Sequence, residues 1–209
     1  MKNNILPGGI YGITAEEYSL GRSNFEVVKA MIEGGIKIIQ YREKENKTLR
    51  KQFEECLKIR ELTRKNNVLF IVNDHIDIAQ MVGADGIHLG QDDISIKEAR
   101  KIFKGIIGLS THSTEQARKA VEDGSDYIGV GPIYHTKTKK NVCPAVGLEY
   151  LKYVAGNIKI PFVAIGGIKE HNIKEVISLG AKTIAVVTEI TGSKDIQGMI
   201  KKLHDYFQD

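Results

Sequence analysis

The sequence contains no tryptophan, and only two of its 209 residues are cysteine. Cys56 and Cys143 share no close-spaced motif with each other or with histidine, so neither a disulfide framework nor a zinc site is indicated. We interpret Cys56 as a helix core residue. No apolar run approaches the ~18 residues of a membrane span, and the N-terminus has no apolar core of signal-peptide length. We therefore expect a cytoplasmic protein that does not bind a membrane.

A strong excess of one charge is also missing, since 30 lysines and arginines stand against 26 aspartates and glutamates, for a net charge of +4. This balance is too mild for a nucleic-acid-binding protein but suits small anionic substrates. With 42% hydrophobic residues, the chain is large enough for one well-buried core. We expect a single domain over residues 1–209.

Apolar runs typical of strands alternate with stretches of helical periodicity. The predicted strands cover residues 9–13, 36–41, 68–72, 86–89, 105–109, 126–130, 161–165 and 182–187. Eight strand–helix units in a chain of this length favour an α/β fold in the form of a closed (β/α)8 barrel, the TIM barrel. An open doubly wound sheet is the alternative. Its dinucleotide fingerprint is incomplete, because Tyr134 occupies the place of the third glycine after Gly129 and Gly131.

Helix signals support this division. Ser23 or Asn24 is predicted to cap the first helix, whose apolar repeat includes Phe25. The second helix carries Leu49, Phe53, Cys56 and Leu57 on one face. Ser113 and Gln116 have the spacing of a capping box.

Two predicted strands each run into a carboxylate, at Asp74 and at Asp93. The C-terminal ends of parallel neighbours lie about 5 Å apart, so both side chains can converge on one cation. Few protein ligands leave Mg²⁺ room for waters and substrate phosphates. Alternatively, Asp74 caps a helix that begins near His75. Spacing alone does not decide between Asp92 and Asp93 as the ligand.

In a barrel of this kind the active site lies at the C-terminal strand ends. The polar and small residues predicted there are Gln40, Arg42, Lys44, Asn73, Asp74, His88, Gln91, Asp93, Ser110, His112, Thr136, Thr138, Lys139, Gly166, Gly167, Val187 and Thr188. They divide into two candidate anion sites, one around Gly166 and Gly167 and one around the cations and the metal. Alternatively, the two glycines form only a tight turn, and Arg42 and Lys44 are solvated loop charges.

The collection contains no nucleophile with a credible base partner. His88 alternates with Ile87 and Leu89, so we expect its side chain to point into the barrel and to pack and hydrogen-bond beneath the site. The chemistry must then depend on charge stabilisation and positioning.

Seven segments, in order along nearly the whole chain, resemble the thiamine phosphate synthase family. They are QYREK (40–44), VND (72–74), GIHLGQDD (86–93), GLSTH (108–112), GPIYHTKTKK (131–140), AIGGI (164–168) and AVVTEI (185–190). The combination is specific, although AIGGI alone occurs in many phosphate-binding barrels. Thr14, Ala15 and Glu16 stand where many members of the family carry Thr-Asp, which affects a peripheral contact.

This resemblance implies a Mg²⁺-dependent transferase that joins hydroxymethylpyrimidine pyrophosphate to hydroxyethylthiazole phosphate, giving thiamine phosphate and pyrophosphate. It implies that Asp74 and Asp93, rather than Asp92, hold the metal. It also assigns the other residues to three ligand groups. Gln40, Arg42, Lys44, Asn73 and Lys139 would hold the pyrophosphate, Ser110 and His88 the pyrimidine, and Thr136, Thr138, Gly167, Val187 and Thr188 the thiazole phosphate.

Within this set, Arg42, Lys44, Ser110 and Lys139 are the predicted catalytic residues. The expected partners are small molecules, and a homo-oligomer is possible. Two other functions stay open. A thiazole tautomerase on the same barrel would need a histidine for proton transfer and no pyrophosphate ligands, and a non-catalytic phosphate-binding module would bind both ligands without turnover.

Overall fold

In the computed structural model, which describes residues 5–43, 47–136, 138 and 143–208, the strands form a closed parallel barrel in sequence order. The strands are β1 (Gly9–Ile13), β2 (Ile38–Tyr41), β3 (Leu69–Asn73), β4 (Gly86–Leu89), β5 (Ile106–Thr111), β6 (Tyr127–Val130), β7 (Phe162–Ile165) and β8 (Thr183–Val186). The predicted (β/α)8 barrel is confirmed, and β1 and β4 have the predicted bounds. β3 and β5 begin one residue later than predicted and also end later, because their polar residues Asn73 and Ser110 continue the ladder.

Helices follow the strands around the outside. They are α1 (Asn24–Glu33), α2 (Leu49–Lys65), α3 (Ile76–Val82), α4 (Ile96–Ile102), α5 (Thr114–Glu122), α6 (Gly147–Asn157), α7 (Ile173–Ser178), α8 (Thr188–Thr191) and α9 (Ile196–Asp205). A 3₁₀ turn, Glu16–Tyr18, follows β1.

Side-chain caps fix where several helices begin. Ser23, not Asn24, is the N-cap of α1 and forms a reciprocal capping box with Glu26. Ser113 caps α5 as predicted and accepts from the backbone N–H of Gln116. The Gln116 side chain departs from the box pattern, because it accepts from the backbone N–H of His112 rather than from that of Ser113.

The apolar core has two layers, as expected for a barrel. Inside the barrel, alternate strand positions contribute one cluster, which consists of Tyr11, Ile13, Ile38, Ile71, Tyr127, Val163 and Ala185. The other strand positions pack outward against the helices and form the larger cluster, which includes Cys56. The mouth of the barrel therefore lies above a packed floor of side chains rather than above an open pore.

The predicted apolar faces of α1 and α2 were partly wrong. Phe25 is 37% exposed, and Leu49 and Leu57 are 53% and 40% exposed. The prediction is right for Cys56, which is buried, and for Phe53, which is partly buried against the core, and the other buried positions of α2 are Gln52, Ile59 and Thr63. A mixed polar and apolar sequence offers two faces at helical spacing, and contact with the barrel selects the one carrying Ile59.

No helix in the described ranges is long and apolar enough to cross a membrane.

Candidate active site

A cavity of about 760 Å³ opens at the C-terminal ends of the strands. Every predicted metal-binding, catalytic or substrate-binding residue that the structure describes lines it. These residues are Gln40, Arg42, Asn73, Asp74, His88, Asp93, Ser110, Thr136, Thr138, Gly167, Val187 and Thr188. The two predicted lysines, Lys44 and Lys139, lie outside the described residues.

Asp74 and Asp93 follow neighbouring strands on one wall of the cavity. Asn73 pairs with His88 in the parallel ladder, and the Asp74 backbone N–H donates to the carbonyl of His88 at 2.9 Å. Asp93 accepts a 2.6 Å hydrogen bond from the backbone N–H of Gly90 through Oδ2, whereas Asp92, which also lines the cavity, is exposed. The two strand ends therefore bring Asp74 and Asp93 to the same wall.

Asp74 is not the N-cap residue of α3. That position is His75, whose side chain makes no cap hydrogen bond. Asp74 has a φ of 59°, in the left-handed region that aspartate tolerates better than most residues but that still costs on the order of 1 kcal/mol. The tight turn between β3 and α3 requires this conformation, which the sequence did not reveal.

The donor set fits a magnesium ion better than a metal held entirely by protein. No group of three or more histidine, cysteine, aspartate or glutamate side chains suited to a metal occurs among the described residues. Two carboxylates at the edge of an open cavity supply hard oxygen ligands and leave the other positions to waters and substrate phosphates, as Mg²⁺ commonly requires.

Beside this wall, the backbone of Arg42 is fixed by Thr14. The buried Thr14 hydroxyl accepts from the Arg42 N–H at 2.8 Å and donates to the Arg42 carbonyl at 3.1 Å. The ends of β1 and β2 are thereby tied together at Arg42, a residue that lines the cavity. Gln40, only 3% exposed, lies two residues before Arg42, within β2.

A second anchor lies just beyond Arg42, around Lys47. The Lys47 ammonium contacts Glu16 and Glu55 directly and lies 3.8 Å from Glu43. Burial opposes the charged form of Lys47, but hydrogen bonds to Glu16 and Glu55 outweigh it and raise the lysine's pKa. Glu43 and Lys47, on either side of positions 44–46, are thus held in place. Glu16, whose role the sequence left unclear, belongs to this anchor.

The other wall contains Gly166 and Gly167, with φ values of +99° and +65°. A Cβ on Gly166 would lie 2.4 Å from Pro132 Cα, and one on Gly167 would lie 2.7 Å from the carbonyl oxygen of His135. The positive φ values and these close contacts show that both glycines are needed for a tight turn. Both glycines also line the cavity, together with Thr136 and Thr138, so a turn and an anion site are compatible.

A chain of hydrogen bonds crosses the floor of the cavity. Gln40 Nε2 donates to the Tyr11 hydroxyl at 3.0 Å, and the Tyr11 and Tyr127 hydroxyls are 3.0 Å apart. Tyr127 Oη lies 2.9 Å from His88 Nδ1, and His88 Nε2 lies 2.9 Å from Ser110 Oγ. The expected position of His88, hydrogen-bonded beneath the site, is confirmed.

Sequence reasoning missed Tyr11 and Tyr127 as site residues. Burial raises the pKa of both phenols well above their ordinary value, so both keep their protons at neutral pH. The alternation of side chains along a strand could have indicated that both tyrosines face the inside of the barrel. Tyr11 is two residues before the inward-facing Ile13, and Tyr127 is two residues before Gly129.

Comparison of the whole chain with known proteins identifies its relatives. Residues 10–190 match the family model described as thiamine monophosphate synthase. The chain is 64% identical over 203 residues to the thiamine-phosphate synthase of Pelotomaculum thermopropionicum, covering 96% of this chain and 93% of that protein. It is 60% identical over 202 residues to the enzyme of the same name from Caldicellulosiruptor saccharolyticus, covering 96% and 91%.

A solved structure gives the same result. Thiamine phosphate pyrophosphorylase from Pyrococcus furiosus superimposes with a TM-score of 0.88 at 36% identity, covering 96% of this chain and 95% of the other.

Proposed function

The chain belongs to the thiamine monophosphate synthase family, and we propose that it joins hydroxymethylpyrimidine pyrophosphate to hydroxyethylthiazole phosphate with the help of Mg²⁺. The products are thiamine phosphate and pyrophosphate, which makes the protein a transferase. The expected homo-oligomer and cytoplasmic location stay predictions.

The observation that carries this proposal is the division of one cavity into two polar walls. Asp74 and Asp93 lie on one wall close to Gln40, Arg42 and Asn73. Such a wall suits a pyrophosphate with its metal, because the carboxylates hold the cation and the arginine and amides donate to phosphate oxygens. A single phosphate fits the opposite wall, where Gly167, Thr136, Thr138, Val187 and Thr188 offer backbone and hydroxyl groups.

Between the two walls, Ser110 and His88 face the position proposed for the pyrimidine ring. Lys44 and Lys139 complete the proposed pyrophosphate site on sequence grounds. When bound, Mg²⁺ neutralises charge that develops on the departing pyrophosphate. Arg42 adds a positive charge for the same oxygens, and the two hydrogen bonds between its backbone and the Thr14 hydroxyl fix its backbone position.

The proposed bond changes need no general base. The bond from the pyrimidine methylene carbon to oxygen breaks, and its electron pair leaves with pyrophosphate. The lone pair of the thiazole nitrogen then forms the new carbon–nitrogen bond, and no proton is transferred. We propose that the first bond is largely broken before the second forms, so that positive charge accumulates on the pyrimidine.

An assay of pyrophosphate release tests the function. Purified protein with both substrates and Mg²⁺ should release one pyrophosphate per thiamine phosphate formed. A tautomerase would change the thiazole without releasing pyrophosphate, and a binding module would bind both ligands without turnover. Either result would contradict the proposal.

The order of bond changes needs its own measurement. A trifluoromethyl group in place of the pyrimidine methyl withdraws electrons and should destabilise the cation. If it does so by about 4 kcal/mol, the single-turnover rate falls roughly a thousandfold. A loss of only a few fold would favour concerted displacement.

A further inference from the structure

The hydrogen-bond chain Gln40–Tyr11–Tyr127–His88–Ser110 has a direction that its chemistry fixes. An amide nitrogen can only donate, so the Tyr11 oxygen accepts from Gln40 at 3.0 Å. Tyr11 is 1% exposed, and its own proton needs an acceptor, because a buried unsatisfied hydroxyl is costly. In the described part of the chain, the acceptor beside it is the Tyr127 oxygen, 3.0 Å away.

The same reasoning fixes which atom donates at the imidazole of His88. Tyr127, which is buried and accepts from Tyr11, turns its single proton to His88 Nδ1 at 2.9 Å. A nitrogen that accepts this proton carries none itself, so the neutral ring holds its proton on Nε2. That N–H donates to Ser110 Oγ at 2.9 Å.

The barrel makes room for this arrangement. Gly108 stands opposite Tyr127 in the β5–β6 ladder, and a Cβ there would lie 2.2 Å from the tyrosine ring carbon Cζ. Gly129 leaves similar space for His88, whose ring carbon Cε1 would be 3.3 Å from a Cβ at that position. Glycine inside a strand commonly marks such a close approach. The two rings therefore occupy space that neighbouring strands leave for them.

We propose that Tyr11 and Tyr127 are positioning residues that hold His88 as the Nε2–H tautomer and thereby turn the Ser110 hydroxyl into a hydrogen-bond donor toward the cavity. Ser110 Oγ accepts from His88, so its own proton is directed away from that ring. The atom that Ser110 contacts in a bound ligand must then be an acceptor. Given the proposed function, that atom is an unprotonated ring nitrogen of the pyrimidine.

The tautomer can be measured without substrate. Protein labelled with ¹⁵N in its six histidines shows two-bond couplings that distinguish a proton on Nε2 from one on Nδ1, and the signals missing from His88→Gln identify this ring. We expect wild-type His88 to be the Nε2–H tautomer. In Tyr127→Phe we expect a mixture of the two tautomers.

Tyr150→Phe is the matched control. The Tyr150 hydroxyl is buried and donates to Thr111 Oγ1 at 2.7 Å, but Tyr150 does not line the cavity. Tyr150→Phe also removes a buried tyrosine hydroxyl, so it should reproduce any general loss of stability from such a change. The His88 spectrum should stay unchanged. Should Tyr127→Phe fail to fold, Tyr11→Phe breaks the same chain one step earlier and should also give mixed tautomers.

Activity supplies the second readout. Tyr127→Phe should lower kcat/KM for the pyrimidine substrate roughly tenfold to hundredfold, and Tyr150→Phe should change it by less than about twofold. KM for the thiazole phosphate should be unchanged in both variants.

Two results would overturn the inference: a wild-type His88 that carries its proton on Nδ1, or a tautomer that both tyrosine substitutions leave unchanged. The tautomer is measured in the free protein, whereas the pyrophosphate-release assay tests the proposed function. The inference about the tautomer can therefore fail while the proposed function holds, and the reverse.

Discussion

The Thr14 hydroxyl forms two hydrogen bonds with the backbone of Arg42: it accepts from the Arg42 N–H at 2.8 Å and donates to the Arg42 carbonyl at 3.1 Å. Thr14 is fully buried and has no exposed surface from which to contact a ligand. Its effect on the site therefore passes through the position of Arg42.

We predict that Thr14→Val lowers the free energy of unfolding by about 2 kcal/mol and kcat/KM roughly tenfold. Valine has nearly the same shape but leaves the two Arg42 backbone groups without these partners. Urea unfolding and the pyrophosphate-release assay measure the two effects. Thr14→Ser is the control, because it keeps the hydroxyl and removes only a methyl group. Equal losses of kcat/KM in both variants would attribute the effect to packing instead.

The fold could be predicted from the sequence because strand and helix periods alternate eight times with short connections. The strand ends were harder to predict. Asn73 and Ser110 are polar and mark the end of an apolar run, yet their backbones continue the ladder because their side chains face a polar cavity. The run of apolar residues therefore ends at the floor of the site, whereas the hydrogen-bonded strand continues beyond it.

Candidate site residues could be collected because parallel strands end at one edge of the barrel. Tyr11 and Tyr127 escaped because a tyrosine inside a strand is typical of an apolar core, and only the structure reveals that their hydroxyls meet 3.0 Å apart. The left-handed conformation of Asp74 also escaped, since aspartate after a strand is more typical of a helix cap.

We predict that Gly167→Ala destabilises the protein by about 1–3 kcal/mol more than Gly83→Ala does. The two glycines have similar φ values, +65° and +62°, so an added methyl group is strained alike at both. Only at Gly167 does it also meet a backbone oxygen at 2.7 Å, whereas the nearest atom at Gly83 is 3.7 Å away.

The same pair tests the second anion site. KM for the thiazole phosphate should rise in Gly167→Ala and stay near wild type in Gly83→Ala. If Gly167→Ala loses stability but keeps the wild-type KM for the thiazole phosphate, the tight turn alone explains this glycine.

His204 predicts a pH dependence of stability. Burial lowers the pKa of its imidazole below the ordinary 6.5, and its Nε2 is buried without a hydrogen-bond partner in the described residues. The unfolded chain therefore binds this proton more readily than the folded chain, and stability falls as the pH drops from about 6.5 through the lower folded pKa. Urea unfolding at pH 8 and at pH 5 should show a smaller acid loss for His204→Gln than for the wild type. An equal loss in both proteins would contradict the assignment.

The proposed metal site gives the last prediction, and the backbone of Asp74 decides which substitution tests it. Alanine at a φ of 59° would add strain to the loss of the carboxylate, whereas asparagine tolerates this conformation and removes only the charge. At Asp93, asparagine can still accept through its side-chain oxygen the hydrogen bond that Gly90 N–H now donates to Oδ2 at 2.6 Å. Both substitutions should therefore leave the melting temperature near that of the wild type.

Turnover should respond very differently. A magnesium ion held by two carboxylates loses half of its charged protein ligands in Asp74→Asn or Asp93→Asn. We expect pyrophosphate release at limiting Mg²⁺ to fall more than the 10–100-fold typical for loss of an outer-shell partner. Higher Mg²⁺ should restore part of it. Asp92→Asn is the matched control, since Asp92 is exposed beside Asp93 and should change the rate by less than about twofold. If Asp74→Asn kept the wild-type dependence on Mg²⁺ while Asp92→Asn lost it, the ligand would be Asp92, and the assignment of Asp74 would be wrong.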